Sequence, residues 1–132
     1  IYFLWALPDR LQRHGDLATL QRLRSLAHVV DMHQLTKDPE RLRADFAATT
    51  ASVPLGMTAI ELANYLDYCS ELLSMLGKTA ALFGEHSDDR TTLATIAGIE
   101  ELTNNLSGKI WTKISLLPSA VRRTGSAGTE SR

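Results

Sequence analysis

The sequence predicts an all-α fold: an antiparallel helical bundle of four to five helices, two of them long and amphipathic. Three observations carry this. Apolar residues recur at three-four spacing over two long stretches, about residues 58–83 and 88–117. Helix start and stop residues punctuate the chain at matching places. Strand signals are weak, because Val and Ile are scattered and neither Asn-Gly nor Asp-Gly occurs.

The chain opens on seven apolar residues, IYFLWAL. That run is too short to span a bilayer, which takes roughly 20 residues. It also lacks the basic start and small-residue cleavage site of a signal peptide. It reads as a core-facing helix or an amphipathic lid. The alternative is the end of a membrane helix that begins before Ile1, which would attach the domain to a membrane. Pro8 suits the first turn of a short helix, and Gly15 suits its left-handed stop. Asp16 is then placed to cap a second helix from about Leu17 to Leu35, with Leu20, Leu23, Ala27, Val30 and Gln34 on one face. Asp38-Pro39-Glu40 pairs a cap with a proline at the first helical position, and restarts a short helix to about Ala48. The segment 48–56 is small, polar and β-branched, and reads as a loop.

Thr58 and Glu61 form a capping-box pattern, with Met57 and Leu62 placed for a hydrophobic staple. The helix they start carries Leu62, Tyr65, Cys69, Leu72, Leu76 and Phe83 on its apolar side, and Gly84 is its natural stop. A four-residue turn follows. Ser87 is placed to cap the last helix, with Asp88 and Asp89 against its dipole. Its stripe is Ile96, Ile99, Thr103, Leu106, Ile110, Ile114 and Leu117, and Pro118 is its expected end. The bundle domain is therefore expected over 1–118. Residues 119–132 have no periodicity and read as a disordered tail.

Length and charge narrow the function classes. At 132 residues the chain is one domain. Its net charge of −1 provides no field for nucleic acid or an anionic membrane. The single cysteine, Cys69, excludes an internal disulfide and fits a reducing compartment, so a cytoplasmic location or the cytoplasmic face of a membrane is expected. No Gly-rich phosphate loop, G-x-S-x-G, C-x-x-C or H-E-x-x-H occurs, and no cofactor is expected.

The densest polar stretch is Arg24–Glu40, RSLAHVVDMHQLTKDPE. On a helix, His28 and Asp31 lie about 60° apart, whereas His33 points about 140° away from His28. HxxDxH thus offers one metal-ligating pair, and a metal site would need further ligands, for which His86, Asp88 and Asp89 are the candidates. Ala27-His28-Val29 resembles the motif of histidine phosphotransfer domains, although Asp31 and Met32 stand where that family has Lys and Gly. Arg22 and His28, six residues apart, resemble the Arg/His pair of HEPN-type ribonucleases, also small α-bundles. The resemblance implies that Arg22 would hold a phosphate and His28 would move a proton, with Asp31 nearby.

A structural role competes with these. Asp31 and Gln34 lie on or beside the apolar face, where polar groups need partners, and a buried polar cluster at a helix break fixes register. On this reading His28 and Asp31 are buried and paired with each other or with a neighbouring helix. The enzyme reading needs His28 accessible beside a cation in a cleft. Tyr65, Tyr68 and Trp111 are the candidate binding aromatics. Nothing assembles a nucleophile, a base and an oxyanion donor. The expected function is a non-enzymatic helical interaction or regulatory module, part of a larger chain, with a protein partner or a second copy of itself. The alternative is a small helical-bundle ribonuclease using Arg22, His28 and Asp31.

Overall fold

The computed structural model describes residues 2–35, 37–42 and 56–127. The described residues form three long α-helices: α1 (Tyr2–Leu35), α2 (Ala59–Leu82) and α3 (Arg90–Ala127). A single 3₁₀ turn, Pro39–Leu42, follows α1. The all-α class stands, with no strand among the described residues. The expected count of four to five helices is not matched: the described residues form three.

The correction comes from α1. Neither Pro8 nor Gly15 breaks it, and Asp16 is not a cap, because residues 2–35 form one helix of about 51 Å. Pro8 removes one N–H, whose partner would be the Leu4 carbonyl, but it is exposed, so water can reach that carbonyl. Gly15 has no left-handed φ and nothing near the position of an added Cβ. A mid-helix glycine costs about 1 kcal/mol relative to alanine, too little to stop a helix anchored on its C-terminal side by packing. Gly15→Ala should therefore raise stability by about 0.5–1 kcal/mol, read as a higher melting temperature. A fall in melting temperature would restore Gly15 as a helix stop.

The start of α2 is as its sequence pattern indicates. The Glu61 amide donates to Thr58 Oγ1 (3.3 Å), and the Thr58 amide donates to Glu61 Oε2 (2.8 Å). That backbone donor holds the Glu61 carboxyl below its ordinary value. The carboxylate's contribution is present at neutral pH and is lost as pH falls below the usual carboxylate range. Met57 packs against the cluster that contains Leu62. Phe83 caps the C-terminus of α2, so the expected stop, Gly84, stands just beyond it, although without a left-handed φ.

The cap of α3 falls two residues later than expected. Asp89, not Ser87, accepts the Thr92 amide through Oδ2 (2.8 Å), so the turn between α2 and α3 is longer than four residues. At the far end α3 runs through Pro118 to Ala127, so Pro118 does not end it. Leu117 is buried and anchors the helix there, while Pro118 is exposed and its missing N–H leaves a carbonyl that water can satisfy. The expected tail is thus helical to Ala127. Its last five residues lie outside the described residues, as do Ile1, the segment 43–48 of the expected third helix, and nearly all of the 48–56 loop.

α2 and α3 form an antiparallel hairpin with the most extensive interface of the fold. α1 lies across both. Ala27 joins Leu62, Leu66, Cys69, Leu73, Leu106 and Ile110 in one core cluster, while Leu20 joins Ala80, Ile96 and Ile99 in another. The stripe of α3 is buried nearly as its periodicity indicates, whereas the most buried line of α2 runs through Leu62, Leu66, Leu73 and Gly77. Two contacts fix the register of α1 on α3. Arg13 bonds Thr91 (3.0 Å) and Asp89 (3.2 Å), and Lys113 bonds Gln34. Both pairs are separated by nearly the same number of residues, so α1 runs parallel to α3. Residues before Asp9 consequently extend past the α2–α3 turn.

Candidate functional site

The polar stretch at the end of α1 is organised by a residue from α3. Lys113 Nζ donates to the Gln34 backbone carbonyl (2.9 Å) and to Gln34 Oε1 (2.7 Å). Gln34 Nε2 donates to Asp31 Oδ1 (2.8 Å). Gln34 is buried, and no buried side-chain N or O among the described residues lacks a partner. A cation on the last carbonyls of α1 also complements its dipole. Burial lowers the pKa of Lys113, while the charges of Asp38 and Asp31 oppose that shift.

His28 is exposed and does not share this cluster, so the expectation of a buried His28–Asp31 pair is corrected: the partner of Asp31 is Gln34. His28 lies about 100° around α1 from buried Ala27 and about 120° from buried Gln34, which places it away from the core. Arg22 is exposed too, and lies about 120° from His28 around α1. No described cavity is lined by Arg22 or His28. The structure does not bring Arg22, His28 and Asp31 together. His86 and Asp88 lie at the opposite end, lining a cavity of about 320 Å³ with Asp9, Arg13, Asp16 and Asp89. His28 is 15 residues, about 22 Å, along α1 from Arg13. The metal candidates therefore form two separate groups. Among the described residues, no three His, Cys, Asp or Glu side chains converge as metal ligands.

The aromatics divide. Tyr65 is half-buried, and Tyr68 and Trp111 are exposed. Burial, aided by Cys69, pushes the Tyr65 phenol up to about 12. Burial also pushes the Cys69 thiol up. A phenol whose pKa is raised on folding stabilises the fold fully below its unfolded value of 10, and loses that contribution as pH rises toward 12. Lys113, depressed, acts with the opposite sign. Tyr65→Phe should therefore flatten the alkaline fall in stability, measured as urea midpoints between about pH 8.5 and 11. An unchanged alkaline limb would show that Tyr65 is not the group responsible.

Trp111 stands at one end of an open groove of about 560 Å³ between α2 and α3. Ser70, Ser74, Gly77, Thr103 and Ser107 line it, with Lys78 and Glu100 as its charges. It holds hydroxyls and amides but neither histidine nor cysteine, so it assembles no activated nucleophile.

The feature missed by reading a single stripe is the outer face of α1. Opposite Leu20, Ala27 and Gln34 lie Leu4, Leu7, Leu11, Val29 and Met32, all exposed. Leu4 and Met32, near the two ends, are 68% and 69% exposed. Trp5, 82% exposed, and Phe3, stacked under the Arg10 guanidinium at 5.4 Å, extend the apolar surface where α1 runs past the turn. The signal was in the sequence: both ends of α1 carry apolar residues on a second face, with His14, Arg22 and Ser25 between them, and a helix that packs on one side needs only one apolar face.

No helix among the described residues is long and apolar enough to cross a membrane. The chain matches no family model, no curated protein and no solved structure.

Proposed function

We propose that the protein is a helical interaction module whose docking surface is the outer face of α1. The observation that carries this is two groups of exposed apolar side chains on that face, Leu4, Leu7 and Leu11 toward one end and Val29 and Met32 toward the other, which no described element of the chain covers; His14, Ala18, Arg22 and Ser25 lie between them. Exposed apolar groups rimmed by polar side chains are a common mark of an interaction site. The three acidic residues of α1, Asp9, Asp16 and Asp31, lie on its bundle side, so no carboxylate interrupts the outer face. On this reading the Lys113–Gln34 contact has a supporting role, holding α1 in one register so that the surface is presented as a rigid helix.

The test is photo-crosslinking in the producing cell, with benzoylphenylalanine placed at Val29 and, as a control, at the exposed Glu101 of α3. A defined adduct at Val29, absent at Glu101, is the expected result. Equal adducts at both positions, or none at either, would contradict the proposal.

A further inference from the structure

We infer that the groove between α2 and α3 is a binding site for a neutral oligosaccharide, with Trp111 as the platform on which one sugar ring stacks. No residue of α1 lines this groove, so the inference is independent of the docking face. The groove has its origin in the sequence of α2. Ser70, Ser74, Gly77 and Ala81 follow at steps of four, three and four, and so fall on one side of the helix. Small residues there leave open the space that large side chains would fill. Gly77 is level with Thr103, and the two helices are antiparallel, so Ser70 is level with the turn that carries Trp111.

Two observations distinguish the groove from a packing gap. The first is its uncommitted hydroxyls. Elsewhere on these helices Thr79, Thr95, Thr112 and Ser115 bond carbonyls of their own helix. Ser70, Ser74 and Ser107 bond no group among the described residues, although Ser70 and Ser107 are half-buried. The side chains of Lys78, Glu100 and Asn104 are uncommitted in the same sense. The second is Trp111, which is 58% exposed at one end of the groove, with Ser107 one helical turn before it on the same side.

These groups select the chemistry of the ligand. An apolar molecule would bury the serine hydroxyls without partners, which is unfavourable. An anion would meet Glu100 as well as Lys78, and the two charges cancel. A saccharide carries no net charge, has hydroxyls that both donate and accept, and presents a C–H face that packs on an indole. The walls answer both senses of hydrogen bond, because Lys78 donates, Glu100 accepts, and Asn104 and the serines do either. The volume of about 560 Å³ falls within the range of small-molecule clefts, about 300–1,000 Å³. From Ser70 to Ala81 the wall is about 16 Å long, which favours a linear chain of rings over a single sugar.

The test is titration of the isotope-labelled full chain with maltotriose, cellotriose and triacetylchitotriose, read as amide shifts in two-dimensional spectra. At least one of these should give saturable shifts confined to the two walls, residues 70–81 and 100–111. Trp111→Ala should weaken that binding by about fivefold to tenfold, the worth of one stacked ring. Asn104→Ala should weaken it too, by loss of a bond to the sugar. Both side chains are exposed, so both variants should melt like the wild type, and their weaker binding then reports on the groove and not on the fold. Three trisaccharides that give no saturable shift would overturn the proposal. So would saturable shifts centred outside the groove, or a Trp111→Ala chain that binds as tightly as the wild type.

Discussion

Lys113→Met should destabilise the fold by about 2–3 kcal/mol, lowering the urea midpoint without changing the slope of the transition. The side chain is retained in length but loses both charge-assisted bonds to Gln34. Gln34 is 1% exposed, so its Oε1 would be left in the interior without a donor. An unsatisfied buried acceptor carries its own desolvation cost beyond the lost bond. The same reasoning makes a second variant informative. Lys113→Met with Gln34→Leu removes donor and acceptor together, and should recover much of the loss. If the double variant were as unstable as the sum of the two singles, the contact would not be the coupled pair described.

The second large effect is at Gly77. Here α2 approaches α3 so closely that an added Cβ would stand 2.8 Å from Thr103 Oγ1. Thr103 is itself buried, with its hydroxyl donating to the Glu100 carbonyl (3.1 Å). Real Cβ atoms do not tolerate such a distance, so Gly77→Val must push the helices apart or turn Thr103 out of place. Overpacking of this kind costs about 1–3 kcal/mol. Thr103→Ala removes the opposing hydroxyl and should make Gly77→Ala nearly neutral. A Gly77→Val chain as stable as the wild type would mean that the α2–α3 crossing is looser than described.

How much of this was legible in the sequence depends on whether the signal is local. The capping box at Thr58–Glu61 and the stripe of α3 are local, and both are where the pattern puts them. The breaks expected at Gly15 and Pro118 are local signals that lose to tertiary packing. Leu20 on one side of Gly15, and Leu117 just before Pro118, are fixed in the core and carry the helix through. The contact between Gln34 and Lys113 spans 79 residues, and nothing in either neighbourhood announces the other. His28 stands among polar residues in sequence, but a one-residue change of position on a helix turns a side chain by about 100°. That rotation separates His28, outside, from Ala27, in the core. The outer stripe of α1 was legible in principle. It was masked by the inner one, which has the same spacing.

The central claim is that the outer face of α1 serves a partner and not the fold. The most direct test is the thermal unfolding of dilute wild-type protein beside the triple variant Leu11→Asp, Val29→Asp and Met32→Asp. Substitutions on a face outside the core each change stability by about 0.5 kcal/mol or less, so the two chains should melt within about 5 °C of each other. A triple variant that melts far below the wild type, or does not fold, would show that this face belongs to the core of the structure and would contradict the account.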